Sequence, residues 1–201
     1  TIGRAYAGLI HPRRVAVGHD IRETSPELAA ALCRGLVESG VDVVDIGLVG
    51  TEEVYFATFS LGLDGGVMVT ASHNPRDYNG MKFTREKARP ISADTGLLDM
   101  EQAVMRLLKG EGPEGGARPD GVRTGAVTQI DTRPDYIEHL LTYVDPAGLR
   151  PLKIVVNAGN GGAGPVIDLL ETRLPFTFIK LNHEPDGSFP SGVPNPMLVE
   201  N

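Results

Sequence analysis

The chain has 201 residues, a formal net charge of -7 at pH 7, 41% apolar and 22% charged side chains. That is enough chain for one large or two small domains around a buried core, and its ordinary composition excludes a disordered polypeptide. An acidic balance argues against a nucleic-acid or anionic-membrane partner, while leaving room for a phosphorylated substrate in a locally positive pocket.

The opening Ile2-Gly3-Arg4-Ala5-Tyr6-Ala7 reads as the middle of a helix. Residues 14–18 form a short buried strand. Thr24-Ser25-Pro26-Glu27 then supplies an N-cap, an early helical proline and a capping glutamate, with Leu28, Ala31, Leu32 and Leu36 at helical spacing. The single cysteine, Cys33, falls on the apolar side of this helix, permits no internal disulfide and reads as inert core in a reducing compartment. Strands follow at 41–46 and 66–70, with a helix opened by Thr51-Glu52-Glu53 between them. Such alternation predicts α/β layering with right-handed crossovers, and ligands gather outside the strand ends of such sheets. A strand at 81–84 should pair with its predecessor, and 97–109 is an amphipathic helix. The polar, glycine-rich stretch 110–116 reads as a surface loop near a domain boundary. Beyond it come a strand at 126–130, a helix at 134–144, a strand at 152–156, a glycine-rich loop at 157–164 opening a helix, and a strand at 176–180.

One loop carries the chemistry. Thr70-Ala71-Ser72-His73-Asn74-Pro75 ends a β-branched strand abruptly, and Asn79-Gly80 turns the chain into Met81-Lys82-Phe83. This brings a serine hydroxyl to the rim of a sheet beside an imidazole and an amide, with a lysine on the neighbouring segment. It is the arrangement expected of a serine that gives or receives an anionic group. His73 can neutralise charge or relay a proton near neutral pH, Asn74 can order the loop, and Lys82 can neutralise phosphate or act as acid or base if burial lowers its pKa. Taken separately, each piece is also good turn chemistry. Ser72 and His73, adjacent in extended backbone, would point apart and do not suggest a hydrolase triad.

The block from Thr70-Ala71-Ser72-His73-Asn74-Pro75 to Tyr78-Asn79-Gly80-Met81-Lys82 closely resembles the active-site serine loop of the α-D-phosphohexomutases. The resemblance covers almost the whole chain. Val17-Gly18-His19-Asp20-Ile21-Arg22 looks like a Gly-Arg-Asp-x-Arg segment of that family, with histidine where arginine is common. Thr51-Glu52-Glu53-Val54-Tyr55 and Ala88-Arg89-Pro90-Ile91-Ser92 are similar to the bacterial phosphomannomutase branch. Asn157-Ala158-Gly159-Asn160-Gly161 and Pro185-Asp186-Gly187-Ser188-Phe189-Pro190 match the second domain. The resemblance implies two α/β/α layered domains with mixed sheets, residues 1–126 carrying the serine loop and 127–201 forming the second domain. It implies interconversion of hexose 6-phosphate and hexose 1-phosphate, mannose and also glucose, through a phosphoserine and a 1,6-bisphosphate that also serves as activator. Ser72 would be the phosphoserine, with His73 and Lys82 in the catalytic surroundings. Asn74, Arg22 and Arg76 would support the loop or the phosphate. Mg²⁺ would bind Ser72 through its phosphate and the aspartates of an Asp-Gly-Asp-x-Asp-Arg loop absent from this sequence. The metal-binding and substrate-phosphate domains being absent, the chain reads as an N-terminal fragment, inactive alone, whose partners are the hexose phosphate and the C-terminal domains of the same protein.

Other signals are weaker. The glycine loop after 152–156 superficially suggests a nucleotide cradle but lacks the Gly-x-Gly-x-x-Gly register and reads as a structural loop. Asp42, Asp45 and Asp64 read as solvated caps, and His183, Glu184 and Asp186 as a loop whose metal reading lacks a second ligand cluster. Arg76 and Arg85 flank the serine loop, as phosphate contacts or as plain surface charge. No apolar run approaches the roughly 18 residues of a spanning helix, and the first residues do not begin a signal peptide, so a cytoplasmic location is expected. Alternatives of other kinds are a phosphoglucosamine mutase of the same fold, a non-catalytic sugar-phosphate binding module, or a serine hydrolase with a base aimed at Ser72.

Overall fold

The computed structural model describes residues 1–111, 123–192, 195, 197 and 199. Its first unit is built on a five-stranded sheet in the order β4-β3-β1-β2-β5, from β1 (Arg14–His19), β2 (Asp42–Leu48), β3 (Gly65–Val69), β4 (Met81–Arg85) and β5 (Val127–Gln129). β1, β2, β3 and β5 run parallel, while β4 returns antiparallel beside β3, so this sheet is mixed.

Successive side chains along a strand face opposite layers. Val15, Val17, Val67 and Val69 pack into a core with α1 (Ile2–Ile10), α2 (Ser25–Glu38) and α4 (Leu97–Leu108). Ala16, Val44, Ile46 and Met68 face the other way, onto α3 (Thr51–Ser60) through Val54 and Ala57. Helices therefore cover both faces, which is why the strands read as continuous apolar runs rather than alternating ones. The layers close tightly where α1 crosses α2. A Cβ on Gly35 would lie 3.3 Å from the Cα of Gly3, so the two backbones touch directly. The buried stripe of α2 is Ala29, Leu32, Cys33 and Leu36, whereas Ala31, expected inside, faces solvent. The Cys33 thiol is pushed up to about 11, first by burial.

The second unit contains α5 (Arg133–Leu141), β6 (Leu152–Asn157), α6 (Ala163–Glu171) and β7 (Phe176–Leu181). Among the described residues its sheet is the parallel pair β6–β7. Val155 and Ile179, paired in register, are both exposed.

The strand expected to open the second domain belongs elsewhere. β5 pairs with β2 and completes the first sheet, with Val43↔Val127 and Asp45↔Gln129 in register. The reason is polar, since all three residues of β5 are exposed. Asp42 accepts from Arg123 Nη2 at 2.7 Å and from the Ala126 N–H at 2.9 Å, fixing the chain just before β5 against the sheet edge. Most of the glycine-rich stretch at 110–116 lies outside the described residues. Among those described, no helix is long and apolar enough to cross a membrane.

Candidate active site

The connection between β3 and β4 is a closed loop rather than a tight hairpin. The Thr70 N–H donates to the Gly80 carbonyl at 2.9 Å and closes its base. Within it the Ser72 N–H bonds Thr70 Oγ1 at 2.9 Å, Asn74 bonds the Ala71 carbonyl through its backbone and its side-chain amide, and the Tyr78 N–H bonds Pro75 O. Asn74 thus orders the loop by local bonds, as an Asx residue commonly does. Asn79 does more than initiate a turn. Its Nδ2 donates to Thr24 Oγ1 at 2.8 Å and Ser25 Oγ at 2.9 Å, tying the loop exit to the first turn of α2. Thr24, expected to cap α2 with its hydroxyl, makes no side-chain cap bond.

Arg22 organises this loop. It is 1% exposed, and its guanidinium donates to four carbonyls of the loop. Nη1 bonds Pro75 O at 2.6 Å and Tyr78 O at 3.0 Å, while Nη2 bonds Ser72 O at 2.7 Å and Asn74 O at 2.6 Å. Asp20 lies 3.4 Å from Nε and accepts from the Arg22 N–H and from Ser25 Oγ. Only a planar fork of donors can serve four acceptors this way. With four carbonyls turned inward on one cation, Ser72 takes a left-handed conformation, φ 54°. Such backbone is uncommon outside glycine and persists only where the surroundings enforce it.

Ser72 lies on the wall of a cleft of about 750 Å³ between the two units. Asp20, Thr70, Gly50 and Thr51 line it from the first unit, and Asn157, Gly159, Gly161 and Asn182 from the second. The N-termini of both α3 and α6 open into this space, through Gly50 and Thr51 and through Gly162 and Ala163. A helix N-terminus carries partial positive charge that favours an anion. At α3 this is offset by Glu52, which also lines the cleft, and by Glu53, which takes the Gly50 N–H, so the start of α6 is the freer of the two. Lys82 Nζ stands 3.5 Å from Thr51 Oγ1, at the start of α3, and adds a full positive charge on the Thr51 side.

The residues singled out in the sequence divide accordingly. Ser72 lines the cleft, whereas Lys82 does not and reaches only Thr51 of its wall. His73 is exposed beside Ser72, and Asn74 and Arg22 hold the loop from within. Arg76 is exposed and lies 3.5 Å from Glu23. Arg85, grouped with the loop in the sequence, is opposite Gly65 at the far end of β3 and donates to Thr95 O at 2.6 Å. The length of β4 separates it from the site. Asp64 accepts from the Arg13 and Arg14 N–H groups and Asp45 from the Gly47 N–H, so these acids hold backbone turns. His183 pairs with Asp168, whose carboxyl is held below its ordinary value first by Lys180 and then by His183.

Sequence reasoning gave the glycine loop at 157–164 too small a part. It forms the wall facing Ser72, and buried Asn160 braces it by donating from Nδ2 to Glu184 O at 3.0 Å. Asn160 stands before α6 with φ 57°, and the clue in the sequence was the Asn-Gly pair, residues that tolerate such backbone. Glu53, read from the sequence as part of the block that caps α3, does cap it, and the structure adds a partner the sequence did not give. It is buried, its Oε1 accepts from the Gly50 N–H at 2.9 Å, and Arg133 of α5 lies 3.4 Å from Oε2. Burial raises its pKa, against the opposing pull of the Gly50 N–H and Arg133.

Residues 1–107 match the model of phosphoglucomutase/phosphomannomutase, alpha/beta/alpha domain I, and residues 134–201 match domain II of the same family. This chain belongs to the phosphoglucomutase/phosphomannomutase family. It is 54% identical over 206 residues to a phosphomannomutase of Escherichia coli, covering 99% of this chain and 43% of that protein. It is 54% identical over 200 residues to a protein of Xanthomonas campestris named phosphohexose mutases, again covering 43% of the relative. A solved phosphoglucomutase/phosphomannomutase family protein from Burkholderia thailandensis superposes with a TM-score of 0.80 at 34% identity, over 98% of this chain and 42% of that one. The chain therefore spans less than half the length of these family members, and contains the family's first two domains.

Proposed function

We propose that this chain is the phosphoryl-carrying part of a phosphomannomutase, interconverting hexose 6-phosphate and hexose 1-phosphate of mannose, with glucose as a second sugar. The observation that carries this reading is the Arg22-held loop, which turns Ser72 towards a cleft where the N-terminus of α6, and Lys82 beside Thr51, favour an anion.

Ser72 Oγ, carrying a phosphoryl group, donates it to the free hydroxyl of a bound hexose monophosphate. The Oγ–P bond breaks, a bond from P to the sugar oxygen forms, and the sugar hydroxyl proton leaves to a nearby base while the leaving Ser72 Oγ takes one up. The resulting 1,6-bisphosphate turns over, and the other phosphoryl group returns to Ser72 as the proton returns to the sugar oxygen. A hexose 1,6-bisphosphate also primes an unphosphorylated Ser72. Phosphoryl transfer depends mainly on positioning and charge neutralisation. Positioning falls to the Arg22 clamp and the bonds of Asn74 and Asn79. Neutralisation falls to Lys82 and the N-terminus of α6, with His73 close enough in sequence to relay a proton.

Magnesium enters this proposal only through the phosphate on Ser72. Among the described residues no three His, Cys, Asp or Glu side chains gather as a metal would need. These residues do not build a magnesium site by themselves, and its acidic ligands belong to a longer chain.

The test uses the longest chain the gene encodes, incubated with Mg²⁺ and a hexose 1,6-bisphosphate, with phosphorylation mapped by peptide mass spectrometry. Phosphate on Ser72 that is lost on adding a hexose monophosphate, and absent in Ser72→Ala, is the expected result. An unmodified Ser72 in that chain refutes the carrier role and leaves a sugar-phosphate binding module.

A further inference from the structure

The loop that carries Ser72 is held from one domain, yet the cation that holds it is covered from the other. The guanidinium carbon of Arg22 lies 5.4 Å from the centroid of the Phe189 ring, a cation–π distance. Phe189 itself has φ 49°, a left-handed conformation that a bulky residue rarely adopts. It is kept there by a compact turn. The Phe189 N–H donates to Asp186 O at 3.1 Å, the Ser188 N–H to Asp186 Oδ1 at 2.9 Å, and the Asp186 N–H to Asn160 O at 2.9 Å. The turn meets the first domain backbone to backbone. A Cβ on Gly187 would fall inside van der Waals contact of the Ile21 carbonyl and 3.2 Å from the Glu23 N–H, so only glycine lets the two segments meet around Arg22.

From this we propose that Phe189 is a positioning residue for Ser72, acting through Arg22. The ring covers a guanidinium whose four terminal N–H groups are committed to the carbonyls of Ser72, Asn74, Pro75 and Tyr78. Water reaching that guanidinium competes for the same donors. Excluding it strengthens each bond, because charge-assisted hydrogen bonds gain as the local dielectric falls. The docking of the second domain is thereby communicated to the backbone that sets the left-handed turn at Ser72. Since the turn is also bonded to Asn160 in the glycine loop, both walls of the cleft are tied to one cation.

The catalytic part of this inference rests on the phosphoryl-carrier reading, whereas the loop coupling does not, and the test separates them. In the full-length protein Phe189→Leu removes the flat ring over the guanidinium and leaves a narrower cover that admits water at its edges, while Phe189→Trp keeps a ring. Hydrogen exchange of peptides covering residues 70–80 reports the loop, and kcat and KM for a hexose monophosphate report catalysis. With Leu, exchange in 70–80 rises and kcat falls, each by about fivefold, while KM stays within about twofold; Trp restores both. Unchanged loop exchange in Phe189→Leu, identical behaviour of Leu and Trp, or a raised KM with kcat intact would each overturn the proposal. If Phe189→Leu fails to fold by thermal melting, Gly187→Ala displaces the turn without touching the ring. A folded Gly187→Ala with wild-type loop exchange also overturns it. A Ser72 that never accepts phosphate defeats the carrier reading alone, since loop exchange still decides the coupling.

Discussion

Replacing Arg22 by methionine keeps a long unbranched stem and removes every donor. Four hydrogen bonds of 2.6 to 3.0 Å to loop carbonyls disappear together with the Asp20 ion pair. Bonds to a charged group contribute about 1.5–3 kcal/mol each when both partners stay dry. The loop from Ser72 to Tyr78 is exposed, so its carbonyls recover water once released, and the four losses do not add. The net cost is therefore about 2–4 kcal/mol, well below the simple sum. Arg22→Lys should lie between, because a point charge with three donors cannot span four carbonyls arranged for a planar fork. Urea unfolding of the full-length protein measures the global loss, and hydrogen exchange of residues 70–80 the local one. A methionine variant within about 0.5 kcal/mol of wild type, or a lysine variant equal to it, would refute the clamp.

Cys33 is buried and its thiol is raised to about 11, so at pH 8 native protein should resist iodoacetamide and label fully only in denaturant; rapid native labelling would contradict its place in the core. Glu53 gives a pH test. Burial raises its folded pKa above the unfolded value, so in the range between them the native state binds more protons than the unfolded one. Its contribution to stability is fully present below the unfolded pKa and is lost as pH rises through the folded one. Urea midpoints of wild type minus Glu53→Gln should fall as pH rises from about 4 to 7, while a difference that is flat or rises would show that the Arg133 pair outweighs burial.

The periodicity of the chain was sufficient for its elements. Val15 to Val17, Val43 to Ile46 and Val67 to Val69 are β-branched runs too short for helices, and Pro26 beside Ser25 starts α2 as such residues do elsewhere. Local pattern does not say which strand pairs with which. The change of composition at 110–116 places β5 with the second domain, yet Asp42, more than eighty residues earlier, holds the chain at its entrance and returns it to the first sheet. Ala31 was misplaced for a smaller reason of the same kind, since a small apolar residue is tolerated on either face of a helix.

The serine loop was legible because its chemistry is local: a hydroxyl, an amide and a proline in one turn, followed by Asn79-Gly80 and Lys82. By itself the sequence determined the strands and helices, the buried Cys33 and the loop of Ser72 as the candidate site. Only the tertiary structure decided what aims that serine. Arg22 and the carbonyls it holds are 50 to 56 residues apart, and Phe189 is further still. Backbone carbonyls are the same in every residue, so no side-chain pattern marks which four will converge on one guanidinium. Their convergence follows from parallel strands ending at one edge of a sheet and a glycine at 187 that lets a second domain close over them.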